Sequence, residues 1–173
     1  MLASVFIGTS VDGFIARPNG ALDFLPEGGG EPHGYSEFFA SIDALVIGRK
    51  TYETVEAFPE WPYTDKLVIV LGTRPMDVSK VRGKVEQMSG DPKDIFRKLE
   101  SRGLRHIYVD GGATIQRFLR AGLIHRLTIT RVPVLIGEGV PLFSTLPKDI
   151  HLKHIATQDY PSGLVKTEYE VLV

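Results

Sequence analysis

Four short stretches of the chain carry glycine at candidate ligand-facing positions, and three of them combine it with hydroxyl or cationic residues. GTSVDGFIA covers residues 8–16, GRKTYE residues 48–53, LGTRP residues 71–75 and DGGATI residues 110–115. Free backbone N–H groups, hydroxyls and guanidinium groups are the donors that bind anions. The chemistry these stretches share is therefore the holding of a phosphate-bearing ligand. In the last of them, Gly111 and Gly112 stand where an apolar, β-branched run ends at Asp110 and helical spacing begins with Ile115, Phe118 and Leu119. A turn needs at most one residue of unusual φ. Two adjacent glycines point to a backbone that must come close to something.

The elements around these stretches alternate. Residues 2–8, 44–48, 66–72, 83–88 and 106–111 read as short strands, several ending at glycine. Their mostly apolar runs suit strands buried on both faces. Helical patterns cover 35–42, 50–58, 91–103 and 113–123. The clearest is 91–103, with Asp91 as cap, Pro92 in the first turn, an apolar stripe of Ile95, Phe96 and Leu99, and Gly103 as stop. Three further strands, 125–136, 150–157 and 164–173, follow without helices between them, and Pro161, Ser162 and Gly163 read as the turn of a terminal hairpin. The layout is a largely parallel α/β sheet with an antiparallel C-terminal edge. Such sheets bind ligands beyond the C-terminal ends of their strands, where the four glycine stretches lie. Residues 26–34 read as an exposed, flexible loop.

Composition narrows the function further. At 173 residues the chain fits one domain, residues 1–173, with ordinary globular hydrophobic (43%) and charged (24%) content. A formal net charge of -1 offers no footprint for nucleic acid or an anionic membrane. The absence of cysteine excludes disulfides and thiolate chemistry. The segment MLASVFIGTS lacks a basic region and is too short for a signal or a span, so a cytoplasmic protein is expected. Neither G-x-G-x-x-G after a strand nor a P-loop occurs, and the histidines lack H-E-x-x-H spacing. No metal site is expected.

SVDGFIA (10–16), VIGRKTYE (46–53), VDGGATIQRFL (109–119) and LTITRVPVLIGEGVPLF (127–143) stand in the order and spacing of the dihydrofolate reductase-like superfamily. The sequence most resembles its branch of riboflavin-biosynthesis reductases, the RibD C-terminal domain-like proteins. The resemblance covers nearly the whole chain. It implies a mixed, mostly parallel sheet of about eight strands with flanking helices, and NADPH lying across the strand ends. It also implies that Gly111, Gly112, Ala113, Thr114 and Ile115 contact the cofactor pyrophosphate, with the peptide between the glycines in the cis form. By the same match Gly48, Arg49, Lys50 and Thr51 lie at the adenosine 2′-phosphate, with Leu71, Gly72, Thr73 and Arg74 at the neighbouring strand end. Two cations and a hydroxyl at a helix start suit a dianionic phosphate. Gly8, Ile15 and Asn19 match the nicotinamide end, Asp12 and Gly13 form a structural turn, and Gly137 and Gly139 resemble a loop closing nearby. Thr130 matches a hydroxyl facing the substrate.

Reduction of a C=N bond also needs a proton. Folate reductases use a carboxylate on the helix before the second strand, which makes Glu37 the candidate, with Asp23 and Asp43 as alternatives. The chain departs from true dihydrofolate reductases. The Leu-Pro-Trp segment is missing, and no arginine occurs from Ala57 to Lys66, where folate reductases hold the substrate's carboxylate. The expected function is an NADPH-dependent reductase of a small heterocycle, resembling 5-amino-6-(5-phosphoribosylamino)uracil reductase. The alternatives are a dihydrofolate or pterin reductase, and a nucleotide-binding protein that kept the cleft without the chemistry. The branch commonly forms homodimers, and a homodimer is expected.

Overall fold

The computed structural model describes residues 1–26 and 30–173. Its alternating elements build one eight-stranded sheet. Six strands run parallel: β1 (Leu2–Ser10), β3 (Ala44–Gly48), β4 (Leu67–Leu71), β5 (Lys84–Met88), β6 (His106–Asp110) and β7 (Arg126–Val132). Strand β10 (Val165–Val171) lies antiparallel to β7, and β9 (Leu152–Asp159) antiparallel to β10. The order across the sheet is β5-β4-β3-β6-β1-β7-β10-β9. Burial explains it. The most apolar strands, β3, β4 and β6, sit inside with no exposed residue, while β5 presents Lys84 and Glu86 at one edge and every residue of β9 is exposed at the other.

Alternation along the strands divides the core in two. One face packs Val5, Val46, Ile107 and Val109 against helices α3 (Pro92–Ser101) and α4 (Gly112–Arg120), which contribute Ile95, Leu99, Ile115 and Phe118. The other packs Phe6, Leu45, Val68 and Tyr108 against α1 (Tyr35–Ser41) and α2 (Arg49–Glu56) through Phe38, Phe39, Tyr52 and Val55. Helix α3 forms as its sequence directs: Asp91 Oδ1 accepts the N–H of Lys93 at 2.9 Å, and Pro92 opens the first turn. The terminal hairpin turns at 161–163, with Gly163 at φ 93°.

One strand is shorter than expected, and one element adds to the expected set. The strand read over 125–136 ends at Val132, because Pro133 has no N–H to give to a ladder. A small antiparallel ribbon, β2 (Phe14–Ala16) with β8 (Val140–Pro141), joins the first turn to the segment after Gly139. It is two to three residues long, too short for a local sequence signal. The loop expected to be flexible over 26–34 includes residues 27–29, which lie outside the described residues. Beyond them the chain is tied down: the Glu31 carboxylate accepts from Ser162 N (2.9 Å) and Oγ (2.6 Å), and Lys166 Nζ donates to His33 O (2.8 Å). Among the described residues no helix is long and apolar enough to cross a membrane.

Candidate active-site cleft

The C-terminal ends of β3 and β6 bring two helix N-termini side by side. Gly111 (φ 92°, ψ 134°) caps α4, and extended Gly48 caps α2. Neither start has a side-chain cap or an acidic residue in its first turn. The first N–H groups of each helix have no intrahelical acceptor, so both ends present donors and positive dipole to the same space. The glycines make this approach possible. A Cβ on Gly111 would stand 2.5 Å from Thr51 Oγ1, and one on Gly48 3.0 Å from Thr114 Oγ1. Each helix start thus admits the hydroxyl of the other. Gly112 is crowded as well: a Cβ there would meet Pro141 O and Val140 Cγ1 at 3.0 Å and Ile15 Cδ1 at 3.3 Å. The glycine pair serves the protein's own packing first. The Gly111–Gly112 peptide is trans, against the cis form expected, since no cis peptide occurs among the described residues. Gly111 turns the chain through its positive φ instead.

The cations of the sequence motifs gather beside α2. Arg49 donates to Arg74 O and lies 3.8 Å from Glu53, bridging the helix start to the 72–74 loop. Lys50 and Arg74 are exposed and form no ion pair among the described residues. The loop itself is held by Gln87 of β5. Its Nε2 donates to Gly72 O (2.8 Å) and Arg74 O (2.7 Å), and its Oε1 accepts from Met76 N (2.9 Å). No motif singles out Gln87. Its partners lie well back in the chain, and only strand pairing reveals them.

On the face covered by α1, Gly8 and Thr130 pair across β1 and β7. Thr130 is 3% exposed, and its Oγ1 has no hydrogen-bond partner. A hydroxyl at that depth with no protein partner has its donor and acceptor free. Leu25 reaches over Gly8, where a Cβ would meet its Cδ2 at 3.2 Å. Ile15 lies against Gly112, within the same cleft. Asn19 is exposed, and its Oδ1 accepts from Ala21 N (3.0 Å), closing a turn of the neighbouring loop. Asp12 accepts from Gly137 N (2.8 Å) and Ile136 N (3.3 Å), so this turn pins the 136–139 loop as a structural residue should.

The carboxylates sort themselves by environment. Glu37 is exposed on α1 and lines a groove of about 460 Å³ with Ser4, His106, Arg126 and Glu170, on the side of the helix away from the glycine pair. Asp23 is paired with Arg17 at 2.7 Å. Asp43 accepts from Arg105 N (2.7 Å) and His106 N (2.9 Å), and these bonds hold its carboxyl below the usual range. None of the three occupies the cleft. Asp110 does. Burial pushes its carboxyl up to about 6, although it accepts the Gly111 N–H at 2.8 Å. Its charge is felt by Tyr35, Tyr63 and Tyr108, whose hydroxyls are raised first by burial and then by Asp110, Tyr35 to about 12. A carboxylic acid that titrates near 6, a fraction of it still protonated at neutrality, beside the strand-end donors, is equipped for proton transfer. The sequence conceals it, because an Asp before Gly-Gly looks like part of a turn.

The chain matches the RibD C-terminal domain family over residues 4–166. A structure from Shewanella sp. PV-4, assigned provisionally to riboflavin biosynthesis, is 36% identical with a TM-score of 0.91, covering 100% of both chains. A dihydrofolate reductase from Enterococcus faecalis, solved with NADP(H), has a TM-score of 0.64 at 21% identity, over 99% of this chain and 94% of its own. The diaminohydroxyphosphoribosylaminopyrimidine deaminase/5-amino-6-(5-phosphoribosylamino)uracil reductase of Thermotoga maritima has a TM-score of 0.78 at 13% identity, over 99% of this chain and 56% of its own. These last two likenesses establish the fold as dihydrofolate reductase-like.

Proposed function

We propose that this chain, which belongs to the RibD C-terminal domain family, is an NADPH-dependent reductase of a small heterocyclic substrate. One observation carries the reading: two uncapped helix N-termini interlock through Gly48 and Gly111, with Arg49, Lys50 and Arg74 beside them and a half-buried acid, Asp110, whose carboxyl is raised to about 6, at the same strand end. The donor set fits the cofactor. Backbone N–H groups of residues 112–114 suit a pyrophosphate, Arg49, Lys50, Thr51 and Arg74 suit a 2′-phosphate, and Gly8 and Ile15 line the end where β1 leaves the sheet. When bound, NADPH supplies a hydride. The chain supplies the rest: Thr130 Oγ1 orients the substrate, and Asp110 delivers the proton that balances hydride addition to a C=N bond. At pH 7 about one-tenth of an acid with a pKa near 6 is protonated, enough for general acid catalysis.

Titration of the purified protein with NADPH, followed by a scan of heterocycles for loss of nicotinamide absorbance, tests the reading. Saturable NADPH binding with turnover of one compound class supports it. Absence of NADPH binding overturns it, and binding without turnover of any compound favours a nucleotide-binding protein instead. We also infer a homodimer. Edge strand β9 exposes Leu152 (39%) and Ile155 (50%), apolar surface that a second copy can cover. A monomeric mass by light scattering at micromolar concentration would refute it.

A further inference from the structure

The loop that follows β4 leaves the sheet with little of its own to hold it. Gly72 N donates to Met88 O (3.0 Å) and so continues the ladder with β5 by one step. Residues 73–76 then make no backbone–backbone hydrogen bond among the described residues. Thr73, Arg74 and Pro75 are exposed, so burial does not fix them either. The shape of the loop is set by the two side chains that reach it, Gln87 and Arg49.

Alternation along β5 brings Gln87 there. Glu86 turns to one side and meets Arg102 at 2.7 and 3.0 Å. Gln87 turns to the other, the face where Val85 packs against the core beneath α2. Its Nε2 donates to Gly72 O (2.8 Å) and Arg74 O (2.7 Å), and its Oε1 accepts from Met76 N (2.9 Å). Both N–H donors of the amide are used, and the three bonds fix which end is oxygen. The same Arg74 carbonyl accepts from Arg49 Nη2. Packing ties the group together: a Cβ on Gly72 would stand 3.2 Å from Met76 Cε, 3.7 Å from Gln87 Nε2 and 3.8 Å from Arg49 Nε.

We infer that Gln87 is the positioning residue of the 2′-phosphate end of the cleft. Its amide holds Arg74 O where Arg49 can bond it, which sets the direction of the Arg49 guanidinium and the place of Arg74, without itself touching the phosphate. The inference rests on the reductase reading and deepens it, from the cations that suit the phosphate to the group that orders them. Ordering a long side chain costs rotamer entropy, and a guanidinium ordered before the ligand arrives binds it more tightly. Without the Gln87 bonds the loop loses its fixed shape, and the ligand has to order both arginines. The pyrophosphate donors after β6 are separated from β5 by β4 and β3, so the part shared by NADPH and NADH is left alone.

Fluorescence titration of the full chain with NADPH and with NADH tests this on Gln87→Met, Gln87→Glu, Arg49→Ala and Gln87→Met combined with Arg49→Ala. Methionine matches the length of glutamine and removes all three bonds. Glutamate keeps the acceptor for Met76 N but turns an oxygen onto two carbonyl oxygens. Gln87→Met should weaken NADPH about tenfold, on the order of one hydrogen bond's net contribution, while NADH changes by less than about twofold. The combined variant should lose less than the product of the two single losses, because both act on one guanidinium. Gln87→Glu should lower the preference for NADPH as well, and it carries the test if the methionine variant fails to fold. An unchanged NADPH-to-NADH affinity ratio overturns the inference. So does equal weakening of both cofactors, which a merely structural role would give, and so do losses that multiply in the combined variant. A wild-type protein that binds NADPH no better than NADH overturns the phosphate site of the reductase reading as well. A wild type that prefers NADPH, with Gln87→Met keeping that preference, fails this inference alone.

Discussion

Replacing Asp110 by asparagine separates a proton donor from a turn residue. The asparagine oxygen can still accept the Gly111 N–H, so the turn is preserved and only the titrating group is lost. In the folded protein burial raises the Asp110 carboxyl from 3.8 to about 6. That displacement corresponds to on the order of 3 kcal/mol of differential stability. The folded protein holds this proton more tightly than the unfolded chain. Its stabilising effect is therefore complete below about pH 4 and fades as pH rises through about 6. The carboxyls of Asp12, Asp43, Asp77 and Glu86 are held low by hydrogen bonds and drive stability the opposite way, so the informative quantity is the difference between variant and wild type. Urea unfolding across pH 4 to 7.5 should show Asp110→Asn gaining on the wild type by up to about 3 kcal/mol, with most of the change between pH 4 and 6. In turnover, kcat/KM of the wild type should fall toward tenfold per pH unit above about 6, and the variant should lose turnover while keeping NADPH affinity. A stability difference that stays flat with pH would refute the burial argument. Unchanged turnover in the variant would refute the proton assignment.

Arg49→Ala should weaken NADPH by about ten- to a hundredfold, the value of a charge-assisted phosphate contact of roughly 1.5 to 3 kcal/mol, while fluorescence titration with NADH changes little; equal loss for both would place Arg49 on a shared group. Gly111→Ala puts a Cβ 2.5 Å from Thr51 Oγ1 at φ 92° and should cost about 2 to 4 kcal/mol in urea unfolding. Combining it with Thr51→Ala should recover the steric part of that loss but not the φ part. Glu37→Gln, at an exposed position outside the cleft, should leave turnover within about twofold in steady-state assays.

Much of the architecture follows from local physics. The short, β-branched apolar runs within 44–48, 66–72 and 106–111 read as interior strands, because a parallel sheet covered by helices buries both faces of such segments. Asp91 and Pro92 fixed where α3 begins, and the Pro161–Gly163 turn fixed the terminal hairpin. The placing of the glycine stretches at strand ends was legible for the same reason: glycine beside hydroxyls and cations there is a local statement about backbone donors. What lay beyond the sequence was everything decided between distant segments. The β2–β8 ribbon joins residues 14–16 to 140–141, and its few pairs leave no periodicity to read. Gln87 holds the 72–76 loop from another strand. The acidity of a carboxyl depends on what excludes water from it, which no spacing records. Glu37, on the helix where a donor was expected, faces solvent, whereas Asp110, hidden in a turn motif, accepts the Gly111 N–H and is raised by its burial, and its charge reaches tyrosines of α1, the 57–65 loop and β6. Residue types and local order set which chemistry the chain could hold. Tertiary packing set which carboxyl titrates nearest neutrality, because desolvation is a property of the assembled surroundings.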